Sequence, residues 1–315
     1  MSASVRDWTA AISAELKKVV KGQDDVTEHL LVCMLAHGHA LLEGVPGLAK
    51  TLLVKCLSKA MGAEYRRVQF TPDLMPSDLT GVRVYLAAEG RFELQRGPVF
   101  TQFLLADEIN RTPPKTQSAL LQAMEERTVS IDGTDYALSD QFFVMATQNP
   151  IEHEGTYPLP ESQLDRFLMK ISINYPQPTA ELEVLKLHHA GLDPHRLEGI
   201  AQIAGTGDLS ALAAEIHAVK VEDKVMQYVL EIVGATRRSP QVMLGGSPRA
   251  SVAILVCAKV MSAMRGRDYC IPDDVKAVAA PVLRHRLLLR PEAELEGLTA
   301  DRLIDSQLAA LPVPR

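Results

Sequence analysis

Gly44-Val-Pro-Gly47-Leu-Ala49-Lys50-Thr51 is the segment of this chain best suited to hold a phosphate. That task needs a compact backbone whose N–H groups converge on phosphate oxygens, with a helix N-terminus beneath them. It also needs a lysine for the β and γ oxygens and a hydroxyl for Mg2+. Gly44, Gly47, Lys50 and Thr51 supply these, while Val45, Pro46, Leu48, Ala49 and Leu52 complete the turn and the start of an apolar helix ended by Gly62. The usual spacing places Gly directly before the lysine; Ala49 fits there if it takes ordinary helical backbone angles. A plain glycine-rich turn between strand and helix is the alternative for this motif alone.

Further along, the apolar run Phe103-Leu-Leu-Ala-Asp107 ends in a second acid, Glu108. A carboxylate at the end of a buried strand beside a phosphate loop can hold the Mg2+ shell, and the next carboxylate can polarise an attacking water. Asp107 takes the metal role and Glu108 the water role, so the two motifs together meet the requirements of ATP hydrolysis. A third strand ends in Ala146-Thr-Gln-Asn149-Pro150. Its Asn149 amide can orient water, since an amide both donates and accepts; an ordinary Asn-Pro turn fits the same residues.

Length and composition restrict the setting. The chain has 315 residues, 33 Lys+Arg against 39 Asp+Glu (net −6), and 47% hydrophobic content. This is about two domains of ordinary globular protein, with no excess of positive charge to favour nucleic acid. Arg6, Asp7 and Trp8 interrupt the run a secretion signal needs. Leu30 to Leu42, with two histidines, is well short of the ~20 apolar residues of a membrane span. Cys33, Cys56, Cys257 and Cys270 are widely spaced, which suggests unpaired thiols and a reducing compartment, the cytoplasm. His29, His37 and His39 have no carboxylate or thiol at ligand spacing and read as core or solvated residues.

The elements that must position these groups alternate between short apolar runs and helix-like segments from Val5 to about Asn174. The pattern predicts βαβ units and a parallel sheet with strands at His39–Glu43, Phe103–Asp107 and Gln141–Thr147. The segment 71–98, rich in Pro, Gly and charge, reads as an excursion from that sheet. Thr128–Ile131, Asp132-Gly133 and Thr134–Ala137 read as a hairpin with a tight turn. Beyond Tyr175-Pro-Gln-Pro178 the spacing turns helical, over Glu181–His188, Asp208–Val219, Glu222–Ala235 and Pro248–Met264. Residues 1–184 thus read as an α/β core, 185–207 as a connection and 208–315 as an all-helical domain.

Taken together, Leu41–Thr51, Ala106–Glu126, Ala146–Pro150 and Leu159–Phe167, extended by Gly246-Ser-Pro-Arg249, resemble the MoxR family of AAA+ ATPases. The resemblance covers most of the first domain and implies an AAA+ P-loop αβα core followed by a helical lid. It also accommodates Ala49, since the family's loop commonly reads G-x-P-G-x-A-K-T. It implies that Gly22-Gln23 is the box near adenine, Asn149 the first sensor, Arg166 the arginine finger and Arg249 the second sensor. By residue type alone, Asp165-Arg166 is a surface pair at a helix end. Ser247 fits a helix N-cap and Pro248 the first turn ahead of Arg249. The excursion at 71–98 resembles the family's helix-two insert and 128–137 its pre-sensor hairpin, elements that line a central pore. Arg284-His285-Arg286 with Arg290 resembles a basic element of the lid, expected at a subunit contact.

The activity the resemblance implies is that of a Mg2+·ATP-driven homo-oligomeric ring, a hexamer, which remodels or matures client proteins, metal-cofactor insertion included. A partner carrying a von Willebrand factor A domain is implied with it. Other readings are a DNA-translocating AAA+ motor, a magnesium-chelatase-like motor subunit, or a nucleotide-binding switch without turnover. Asp132 and Asp135 in the 128–137 hairpin disfavour tracking of DNA phosphates, and the full set Lys50, Asp107, Glu108, Asn149 and Arg166 disfavours a switch.

Overall fold

The computed structural model of the chain describes residues 4–150, 155–191, 193, 197, 199–203 and 209–314. Helices α1 (Val5–Lys17) and α2 (Asp24–Leu35) precede β1 (Ala40–Glu43), and α3 (Lys50–Met61) leads to β2 (Tyr65–Gln69). A short helix, α4 (Pro76–Thr80), and a hairpin, β3 (Gly81–Leu86) with β4 (Arg91–Arg96), then intervene before β5 (Phe103–Asp107). Helix α5 (Pro114–Glu126), the hairpin β6 (Thr128–Ile131) with β7 (Thr134–Ala137), β8 (Phe143–Gln148), α6 (Glu161–Leu164) and β9 (Met169–Ser172) follow. The rest comprises α7 (Pro178–His189), α8 (Leu209–Ala218), α9 (Asp223–Arg238), β10 (Val242–Leu244), α10 (Pro248–Met264), α11 (Pro272–Leu283), β11 (Leu288–Leu289), α12 (Pro291–Leu295) and α13 (Ala300–Ala310).

Five parallel strands form the central sheet in the order β2-β5-β8-β1-β9. Alternation along each strand divides its apolar residues between the faces. Leu42, Leu105, Met145 and Ile171 join one core, while Leu41, Leu104, Ala106, Val144 and Ala146 join the other. Burial on both faces explains the near-continuous apolar runs at β1, β5 and β8. The edge strand β2 differs: Arg66, Arg67 and Gln69 are exposed, and such charges discourage pairing with another chain. For the same reason Tyr65-Arg-Arg-Val-Gln69 shows no apolar signal.

The expected hairpin is present, with Asp132 (φ 50°) and Gly133 (φ 75°) both left-handed, as a two-residue primed turn demands. The excursion at 71–98 folds as α4 and a projecting hairpin that exposes Val82, Val84, Tyr85 and Phe92. The Tyr85 and Phe92 rings pair across it with centroids 5.1 Å apart.

Two expectations need correction, and a third falls partly outside the described residues. The boundary at 184 falls inside α7, which continues to His189. In the connection 185–207, residues 192, 194–196, 198 and 204–207 lie outside the described residues, as does the first residue of the helix expected at Asp208. The helical domain also contains one antiparallel pair, β10 with β11, because the chain returning after α11 runs beside the segment that leads into α10.

The second domain packs on the α1, α2 and β9 side of the core. One apolar cluster runs from Trp8, Ile12 and Leu31 through that face of the sheet to Ile254, Cys257, Val278 and Val282. This docking gives the basic run at the end of α11 its surroundings.

Candidate active site

The phosphate loop owes its shape to close backbone approaches. A Cβ on Gly44 would lie 2.7 Å from the Ile173 carbonyl oxygen, so only glycine passes there. Gly44 N donates to Gln148 O at 3.3 Å, tying the loop to the end of β8. Gly47 has φ +86° and open space where a side chain would stand. Ala49 is left-handed, at φ 57° and ψ 21°, so the expected ordinary helical angles do not hold. The residue directly before the lysine must reverse the chain into α3, which explains why glycine is usual there; alanine costs about 1 kcal/mol in this region. Lys50 opens α3 and its Nζ donates to Gly44 O at 2.5 Å and Val45 O at 3.2 Å.

Pro46, Gly47, Leu48, Ala49, Lys50, Thr51 and Leu52 line a cavity of about 360 Å³ with Asp107, Glu108, Thr147 and Asn149.

 The three motifs predicted from the sequence therefore meet in one cleft. Asn149 is buried at its wall. Gly22 and Gln23 stand one step away: Gln23 Nε2 donates to Asn174 O at 3.0 Å, and a Cβ on Gly22 would lie 2.8 Å from that of Ala180. Asn174 directly follows Ile173, the residue that abuts Gly44.

A set of polar residues that sequence reading left unassigned holds the two acids. Thr147 Oγ1 donates to Asp107 Oδ1 at 2.5 Å and accepts from Glu108 N at 2.8 Å, joining β8 to the end of β5. Arg67 donates to Asp107 Oδ2 through Nε at 3.1 Å and Nη2 at 2.7 Å. Glu108, itself left-handed at φ 59°, accepts from Gln69 Nε2 at 2.6 Å and Arg111 Nη1 at 3.0 Å. Strand alternation carries the signal for Arg67 and Gln69, which share a face of β2 with a period of two; it was hidden because β2 itself was not recognised.

The residues present fit Mg2+ with a nucleoside triphosphate. A hydroxyl (Thr51) and a carboxylate (Asp107) in one cleft are the hard oxygen donors Mg2+ takes alongside phosphate oxygens. The open space at Gly47, beside a helix N-terminus, suits a phosphate group.

Arg166 and Arg249 lie elsewhere, in a second cavity of about 380 Å³ lined also by His37, Glu125, Arg127, Asp165, Val252 and Arg286. No residue lines both cavities. Arg166 Nη1 is 3.0 Å from Glu125 Oε2, Arg249 Nη1 is 3.7 Å from Glu125 Oε1, and Arg249 Nε is 4.0 Å from Asp165 Oδ2. Ser247 stands at the N-cap of α10 but makes no side-chain cap bond, so its expected capping role reduces to backbone geometry.

The basic run, expected from the sequence at a subunit contact, is mostly enclosed within this chain: His285 and Arg286 are buried, Arg284 is half-buried and Arg290 is exposed. Arg286 is buried and donates to Asp165 Oδ1 (2.6 Å) and to the carbonyls of Leu168, Val282, Asp165 and Phe167. Those five bonds use its whole guanidinium. His285 bonds Phe167 O at 3.0 Å, and Arg284 bonds Asp301, Lys170 O and Ser172. The run is charged because it anchors the second domain to the turn before β9. Burial pulls the Arg286 pKa down, and burial beside Arg286 holds His285 well below the usual imidazole value.

The ATPase family associated with various cellular activities (AAA) matches residues 39–169, and the AAA lid domain matches residues 234–307. Chaperone MoxR1 of Mycobacterium tuberculosis is 45% identical, over 96% of this chain and 81% of its own length. The chain belongs to the MoxR family of AAA+ ATPases. Protein YeaC of Bacillus subtilis is 47% identical over 95% of this chain and 92% of its own. The crystal structure of a candidate ATPase from Cytophaga hutchinsonii superposes with a TM-score of 0.90 at 41% identity, covering 99% of this chain and 96% of that one. The αβα core with a helical lid is thus the family's fold, and among the described residues those lining the phosphate cleft all come from the core.

Proposed function

We propose that this MoxR-family protein hydrolyses ATP with Mg2+ as a ring of identical subunits, a hexamer, and uses the energy to remodel or mature client proteins. The observation that carries this reading is the division of the machinery within one chain. Lys50, Thr51, Asp107, Glu108 and Asn149 share the loop cleft, whereas Arg166 and Arg249 share another cavity. Arg166 and Arg249 reach a γ-phosphate in a cleft only when a neighbouring subunit presents them.

Each group then has one task. The loop N–H groups and Lys50 bind the phosphates, Thr51 and Asp107 hold Mg2+, Asn149 orients water and Glu108 takes its proton. When bound, Mg2+ neutralises charge on the β and γ oxygens. Arg166 of one subunit stabilises charge developing on the nucleotide of the next, with Arg249 beside it acting in trans. Gly22 and Gln23 border the adenine.

The exposed Val82, Tyr85 and Phe92 of the β3–β4 hairpin supply apolar contacts for a protein client. The relative named a chaperone supports that client class, as does the acidic β6–β7 hairpin with Asp132 and Asp135 exposed, which would repel nucleic-acid phosphates. Insertion of a metal cofactor is one such maturation task, and a partner with a von Willebrand factor A domain belongs to the same reading. A cytoplasmic setting accords with the free thiols of Cys33, Cys56, Cys257 and Cys270.

Steady-state ATP hydrolysis measured across protein concentration with Mg2+, with and without duplex DNA, tests this reading. Specific activity should rise with concentration, ignore DNA and vanish in Glu108→Gln, which should retain bound ATP. Activity independent of concentration, or strong stimulation by DNA, would overturn it.

A further inference from the structure

Glu125 occupies an unfavourable place for an acid. It lies in the last turn of α5, where the helix dipole presents partial negative charge. Two cations offset this: Arg166, borne by the core, at 3.0 Å, and Arg249, borne by the lid, at 3.7 Å, one on each carboxylate oxygen. No other carboxylate in the second cavity touches both arginines; Asp165 is engaged by Arg286 and only approaches Arg249.

The backbone around Glu125 and Arg166 is fixed from several directions. His39 Nε2 bonds the carbonyl of Met124, the residue before Glu125, at 3.1 Å, and its Nδ1 accepts from Val144 N at 3.0 Å, so α5 is tied to the sheet at this point. Arg127, left-handed at the end of α5, donates to Asp140 O and His37 O. Arg286 holds the carbonyls on both sides of Arg166, those of Asp165 and Phe167. With both main chains pinned, the long arginine side chains are the remaining freedom, and Glu125 is what orders them.

We propose that Glu125 is a positioning residue: it aligns the Arg166 and Arg249 guanidiniums as one pair, coupling the core's arginine to the lid's, for presentation to a neighbouring subunit's phosphates. This rests on the reading of Arg166 as the residue that completes a neighbour's site. A single carboxylate occupies part of each guanidinium and leaves donors on both free for phosphate oxygens. Without Glu125 the two like charges repel and the pair disperses.

The test is a double-mutant cycle. Glu125→Ala should lower kcat about tenfold with KM and the affinity for a fluorescent ATP analogue changed less than twofold, because the loop cleft is untouched. Glu125→Asp should recover part of the loss. In an Arg249→Ala background, where the pair is already broken, Glu125→Ala should cost clearly less than it does in the wild type, whereas a merely structural role would add its full penalty to both backgrounds. Thermal melting of each variant identifies any loss due to unfolding, with Glu125→Gln as the substitute should the alanine variant not fold. Full activity in Glu125→Ala while Arg166→Ala is inactive would overturn the positioning role alone. Full activity in Arg166→Ala would overturn the finger reading and this inference with it.

Discussion

Ala49 and Glu108 show how the cleft stores backbone strain at two non-glycine residues, both left-handed, on either side of the space where phosphate would sit. Ala49→Gly should therefore stabilise the fold by about 0.5–1 kcal/mol, less than the full strain because glycine has more backbone entropy to lose. A rise in denaturant midpoint at unchanged slope would show it, and an unchanged or lower midpoint would contradict the left-handed assignment. Thr147 offers a sharper case. Its hydroxyl bonds both Asp107 and the backbone of Glu108 from a fully buried position. Thr147→Val keeps the shape but leaves a carboxylate oxygen and an N–H short of partners, at a cost of about 1–3 kcal/mol. Turnover should fall with it, and Thr147→Ser should restore both; chemical denaturation and kcat report the two effects separately.

At the scale of elements, buried polar residues decide how β1, α5 and the lid meet, and they carry the pH dependence. Burial pushes the His39 pKa from its ordinary 6.5 down to about 4. Between those values the unfolded chain binds a proton that the folded chain does not, so stability is full above pH 6.5 and is lost as pH falls toward 4. The loss reaches about 3 kcal/mol at the lower end, with His285 adding in the same direction. Denaturant midpoints at pH 7 and pH 5 should differ in the wild-type chain and differ less in His39→Gln. Arg286→Met, which removes five hydrogen bonds, four of them to the turn before β9, should cost about 3 kcal/mol by the same assay. These elements were unequally legible. The runs at β1, β5 and β8 could be read because strands buried on both faces are apolar throughout, and the 128–137 hairpin because its Asp-Gly turn has few alternatives. Strand β2 was silent, since an edge strand needs no apolar run. The intrachain partners of Arg284 and Arg286 were not legible, because nothing local reveals that the carbonyls of a distant strand and the turn before it will surround them.

In the whole molecule, the residues proposed for one reaction lie in two cavities, so subunit composition is the variable that tests the proposal. Head-to-tail contacts of this kind close into rings when the rotation allows. Glu108→Gln chains retain Arg166 but cannot activate water, and Arg166→Ala chains retain Glu108 but present no guanidinium, so each alone should be inactive. Mixed in equal amounts with random assortment, about one interface in four pairs an intact Glu108 with an intact neighbouring Arg166. The mixture should then recover up to about a quarter of wild-type hydrolysis, falling short if the sites must fire in concert. If both groups served the same chain's nucleotide, no mixing ratio would restore activity. Preassembling each variant separately with a nonhydrolysable ATP analogue before mixing should delay recovery until subunits exchange, which ties the regained activity to shared sites rather than to free chains.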